Sequence, residues 1–310
     1  MRRALPFLLA AVCLAGCAEL DGLQDSPIPD ARPDPPAPVA QRSPESRRQE
    51  AFYKRVENRL LAEGLLRTDG GGPDVPFTSE RLAETFLALA FSEEFSDTGG
   101  RVSARPRAST LHRWEDPVTI AVAFGDTVPA DRAQADAALI DGYAGRLTRA
   151  TGHPVSTSET RGNFAVYILH EQDIARIGPR LRDRLPGISD AEIAFVEDLP
   201  LDAYCVVFTS DPGNAGTITS AVAIIRAELP DRLRTACYHE ELAQGLGLAN
   251  DSDLARPSIF RDDDEFGRLT TKDELLLGIL YDPRLAPGMT ESDAAPLVRQ
   301  IARGMMAPAT

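Results

Sequence analysis

The chain has 310 residues, with 33 Lys and Arg against 47 Asp and Glu and a formal charge of −14. That length holds one sizeable domain or two small ones. Acidity of this size excludes binding to nucleic acid or anionic lipid through bulk electrostatics, and by itself it names no partner.

The chain opens on a secretion signal. Arg2 and Arg3 supply a positive start, residues 4–15 are mostly apolar, and Leu14-Ala15-Gly16-Cys17 follows. The apolar run is too short to remain in a bilayer as a spanning helix. Its last four residues resemble a bacterial lipobox. This implies a signal peptide over 1–16, cleavage before Cys17 and lipidation of the Cys17 thiol. Ala18, where Asp could follow the cysteine, implies by resemblance to other Gram-negative lipoproteins an outer-membrane anchor facing the periplasm. Stable anchoring takes more than one acyl chain, and lipoproteins of this kind carry several. Residues 17–44 then form a proline-rich, extended tether.

Residues 45–66 read as a helix, with Phe52, Val56 and Leu60 at four-residue spacing, and Gly70-Gly71-Gly72-Pro73 breaks the chain after it. A segment over 45–76 is thereby set apart from a domain over 77–310. A second helix starts at Thr78 or Ser79, carries Leu82, Phe86, Leu89 and Ala90 on one stripe, and ends near Gly99-Gly100. Residues 118–124 read as a buried strand, 130–150 as a long helix and 164–169 as a strand. Residues 170–204 are a long excursion with short helical pieces, followed by strands at 205–208 and 221–225. Helices follow at 230–247, behind Pro230, and at 273–281. This order predicts an α/β (α+β) fold, with helices packed on a mixed, twisted sheet and a helical segment in front. In an oxidising compartment Cys205 and Cys237 form a plausible disulfide pair; two buried free thiols are the alternative.

The helix at 230–247 carries the chemistry. Its stretch His239-Glu240-Glu241-Leu242-Ala243-Gln244-Gly245-Leu246-Gly247-Leu248-Ala249-Asn250-Asp251 resembles the long zincin motif HExxHxxGxxHD with the metal ligands replaced. Read from His239, the motif finds Ala243 where its second histidine should stand. Read from Glu240, it matches every fixed spacing. Glu240, Gln244 and Asn250 take the ligand positions, Glu241 that of the general base, and Gly247 and Asp251 are retained. At about 100° per residue Glu240, Gln244 and Gly247 share one line of the helix. His239 shares an apolar face with Leu242, Ala243 and Leu246, which makes it a core histidine before a ligand.

One carboxylate and two amides are poor zinc ligands; oxygen donors of this kind suit calcium better. The expectation is no resident metal, with Glu240, Gln244 and Asn250 joined by hydrogen bonds. Ser258-Ile259-Phe260 resembles a metzincin Met-turn with Phe in the methionine position, and Leu269-Thr270-x-x-Asp273 resembles the terminal helix of matrixin-type peptidases. A closer resemblance is to domain-of-unknown-function family 2927 of proteobacterial lipoproteins. It rests on Phe91-Ser92-Glu93-Glu94-Phe95, Arg113-Trp114-Glu115-Asp116-Pro117-Val118, the motif helix and Tyr281-Asp282-Pro283-Arg284-Leu285. Together these resemblances imply a metzincin-like domain that binds a peptide or envelope protein at its former substrate cleft (Glu240, Gln244, Asn250, Asp251). The alternative is a hydrolase with an unusual ligand set and Glu241 as its base. Trp114 reads as a core anchor, and Asp262-Asp263-Asp264-Glu265 as a solvated loop.

Overall fold

The protein is described here by a computed structural model that covers residues 41–97 and 102–307. The signal, Cys17 and most of the tether lie outside the described residues. Helix α1 (Pro44–Ala62) starts where the Ser43 hydroxyl accepts the Ser46 N–H, with a proline in its first turn. Helix α2 (Ser79–Ala90) is capped by Thr78 in the same way. It stops well short of Gly99. Strands β1 (Ser92–Asp97) and β2 (Val102–Ala108) follow as an antiparallel ribbon. The polar run Ser-Glu-Glu-Phe-Ser-Asp has little strand preference, and its pairing with β2 decides the conformation.

The strands of the main sheet and of a separate two-stranded parallel pair, Arg113–Trp114 with Thr217–Ile218, follow. Strands β3 (Arg113–Trp114) and β4 (Val118–Phe124) lead into α3 (Ala130–Thr151), β5 (Val155–Ser158) and β6 (Phe164–Leu169). The excursion holds α4 (Glu171–Ile174), α5 (Gly178–Arg184) and α6 (Asp190–Glu197). Strands β7 (Cys205–Ser210), β8 (Thr217–Ile218) and β9 (Ser220–Arg226) precede α7 (Asp231–Gln244) and α8 (Thr271–Leu280). A last helix, α9 (Glu291–Met305), buries Ala294, Val298, Ile301 and Ala302. Its stripe has helical spacing, but Pro296 inside it masks the pattern in the sequence.

The five-stranded sheet has the order β5-β4-β6-β9-β7. Its first four strands are mutually parallel, and β7 runs antiparallel to β9 along one edge. Every residue of β6 is buried, as expected of a central strand covered on both faces. On one face Val166, Ala223 and Ile225 join the core that includes Leu233 and Leu242 of α7. On the other, Tyr167, Val222 and Ile224 meet Leu181, Ile193 and Val196 from α5 and α6. Trp114 is fully buried; it stacks on Phe164, and its indole N–H donates to the Gly245 carbonyl at 2.8 Å.

Residues from Ala40 onward form one compact unit, α1 included. Tyr53 and Leu60 of α1 enter the main core. The Ser46 hydroxyl donates to Glu228 at 2.6 Å, and Arg226 donates to Gln49 at 3.1 Å. Glu57 accepts the Arg232 and Leu233 N–H groups at 2.8 and 3.0 Å. It thus supplies the cap that Pro230 cannot give to the first turn of α7.

Candidate functional site

The motif helix α7 packs on β7 and β9, and a disulfide between Cys205 of the edge strand β7 and Cys237 of α7 ties the two together. Glu240 and Glu241 sit next to that bridge. Their carboxylates and the Cys205 sulfur lie within 4.8 Å of one another. Gln244, one turn on, is buried and donates its amide to Asp251 at 3.2 Å. Burial, reinforced by Asp262, pushes the Asp251 carboxyl up to about 7.

Asn250 does not join this group. It is buried, and its amide donates instead to the Ala88 carbonyl of α2 at 3.1 Å. The cause is the turn at Gly247, where φ is +125° and a Cβ would fall 2.1 Å from the His112 carbonyl oxygen. Only glycine permits that close approach. The chain leaving the turn presents Asp251 to Gln244 and sends Asn250 to α2. Of the three positions expected in the cleft as ligand replacements, only Glu240 and Gln244 face it.

His239 faces elsewhere. Its ring packs on Tyr143 with centroids 4.0 Å apart, and its Nδ1 accepts the Leu269 N–H at 3.1 Å. Burial, with help from Arg146 and Arg268, drives its pKa down to about 3. The loop after the motif is fixed to α8 by buried Asp273, which accepts from the Ser258 hydroxyl, the Ile259 and Thr270 N–H groups and the Thr270 hydroxyl. Burial raises the Asp273 carboxyl to about 6 against the pull of those bonds.

Glu240, Glu241, Gln244 and Asp251 line a cleft of about 460 Å³. Its walls are the Pro200–Cys205 segment and the loop carrying Arg261, Asp262 and Asp264. Six carboxylates line it (Asp202, Glu240, Glu241, Asp251, Asp262 and Asp264) against Arg261, which pairs with Asp263 at 2.8 Å. Asp264 has its carboxyl raised by burial and by Asp262 and Asp263. A second hollow of about 250 Å³ continues past Gln244 along Val207, Phe208 and Thr209 of β7, toward His112 and Asp211. Gln244 lines both hollows, and between them they touch β7 from Cys205 to Thr209.

The acidic wall is invisible to motif reading, because Asp262 and Asp264 belong to a run that resembles any solvated loop. Asp202 lies in the excursion, with no local pattern to mark it. The signal that could have found them is their place: the acidic run lies on the loop leaving the motif turn.

The donor set does not fit zinc. Cys205 is committed to its disulfide, Asn250 is turned to α2, and Gln244, whose Nε2 is spent on Asp251, offers only a neutral amide oxygen. Among the described residues, the one ligand-distance group of acids, cysteines and histidines has Glu240 and Glu241 as its usable members. Calcium takes about six to eight oxygens, and the cleft's other carboxylates do not join this ligand-distance group.

Fold and site together define a mixed α/β domain with an acidic cleft beside the edge strand β7. The family described as protein of unknown function (DUF2927) matches residues 79–300, and the chain belongs to that family. No curated protein and no solved structure matches the chain.

Proposed function

We propose that the chain is a lipid-anchored cell-envelope protein, held through Cys17 on the outer membrane and facing the periplasm. Its domain is read as a metzincin-like scaffold that binds an extended, cationic peptide segment without cleaving it. The observation that carries this reading is the pairing of Gln244 with Asp251 while Asn250 turns away, beside β7, the last strand of its sheet among the described residues. With Asn250 turned away and no histidine or free thiolate beside Glu240, Glu241 and Gln244, the site is a poor one for zinc, and Glu241 then has no metal-polarised water to work on. The edge strand still offers backbone N–H and C=O groups to an added strand. The carboxylate wall favours Lys or Arg side chains on that strand.

The test is a fluorescence-anisotropy titration of the purified chain with an extended Lys-rich peptide and its Glu-rich counterpart. The Lys-rich peptide is expected to bind saturably and stay intact by mass spectrometry. Asp262→Lys should weaken it by at least about tenfold. Stoichiometric zinc, together with peptide hydrolysis lost in Glu241→Gln, would overturn the reading in favour of a hydrolase with Glu241 as base. Equal binding of both peptides would remove the cationic preference.

A further inference from the structure

A separate hollow of about 260 Å³ lies between α3 and a different face of α7, with Arg268 among its lining residues. Its floor is aromatic: the Tyr143 and His239 rings lie against each other there. Leu139 beside it is 47% exposed, a large apolar side chain left in water. Gly142 stands in the interior of α3, where glycine costs about 1 kcal/mol relative to alanine. A Cβ on Gly142 would meet nothing within 4 Å, so crowding does not ask for glycine. What its missing side chain provides is room in the hollow.

The polar groups around that floor are donors. The His239 Nδ1 accepts the Leu269 N–H, so the neutral ring carries its hydrogen on Nε2, which has no acceptor among the described residues. Arg268 is exposed and forms no ion pair with a described residue. Arg146 is partly spent on Glu274 and the Leu269 carbonyl. No carboxylate lines the hollow. On a chain of charge −14, this is an apolar hollow with one exposed arginine at its rim, Arg268, that pairs with no described carboxylate, while Arg146 is balanced by Glu274.

We infer that the hollow is a binding site for a small aromatic carboxylate. The ring would lie over Tyr143 and His239 in the space beside Gly142. The carboxylate would be taken by the Arg268 guanidinium and the His239 Nε2–H. Apolar enclosure with a few convergent donors is the usual make-up of a small-molecule site. The inference does not depend on the peptide cleft, which uses other faces of α7.

The experiment is calorimetric titration of the full folded chain with naphthalene-2-carboxylate. Saturable one-to-one binding is expected, with a Kd below about 1 mM. Arg268→Glu, Gly142→Leu and replacement of the probe by neutral naphthalene-2-carboxamide should each weaken binding by at least about tenfold. Asp262→Lys, in the cleft, should leave it unchanged. Circular dichroism melts confirm that each variant is folded. If Gly142→Leu does not fold, the exposed Arg268 variant and the carboxamide still decide. No saturation at about 10 mM, equal affinity for the carboxamide, or full affinity in Arg268→Glu would overturn the inference.

Discussion

Asp251 is the residue of the cleft whose carboxyl is pushed up to about 7; that of Asp264 is raised too. The ordinary value for Asp251 is 3.8. Between those values the folded state holds a proton that the unfolded chain has already lost. The contribution of Asp251 to stability therefore falls as pH rises from about 4 to about 7 and stays lowered above that. Asp251→Asn removes the titration. Urea midpoints of wild type and variant are expected to diverge across that window in favour of the variant. Parallel pH profiles would show that Asp251 is not the group responsible. A cationic ligand favours the deprotonated carboxylate, so peptide affinity should rise over the same range. At this scale the sequence was legible where helical phase decides. Glu240 and Gln244 share a face, and His239 sits on another. It was not legible for Asn250, whose direction depends on how Gly247 meets the His112 carbonyl from a distant segment.

Among the elements, α7 depends on α1 for its start. Pro230 offers no side-chain oxygen, and Glu57 accepts the two amides it leaves open. A carboxylate at a helix N-terminus also opposes the positive end of the macrodipole. Glu57→Ala is expected to cost about 1 kcal/mol, read as a lowered urea midpoint. A midpoint equal to wild type would mean that water replaces the cap at no cost. The long elements were readable because their apolar spacing is a local property: β4, β6, α3 and α7 stand close to where periodicity puts them. The β1–β2 ribbon and β5 escaped because their residues are short or polar runs that only a partner strand makes extended. Helix α9 escaped because Pro296 interrupts an otherwise regular stripe.

At the scale of the molecule, the bridge between Cys205 and Cys237 holds the edge strand to the motif helix across 32 residues of chain. Closing such a loop contributes roughly 3–4 kcal/mol by chain entropy. The double variant Cys205→Ser, Cys237→Ser should lose stability of that order in urea unfolding. It should also bind the Lys-rich peptide more weakly, since β7 and α7 both line the site. A midpoint unchanged by the double substitution would sink the claim. The sequence by itself determined the α/β class, the spacing of the motif with its glycine at 247, and a cysteine pair available for bonding. These are properties of composition and short-range periodicity, and they survive without knowledge of the fold. Only the tertiary structure decided that α1 belongs to the domain through Ser46, Gln49 and Glu57, and that Asp262 and Asp264 wall the cleft. It alone decided that Asp251, in place of Asn250, meets Gln244. Each of those outcomes is a contact between segments far apart in the chain, set by where the packed sheet and helices leave room, and no local pattern records it.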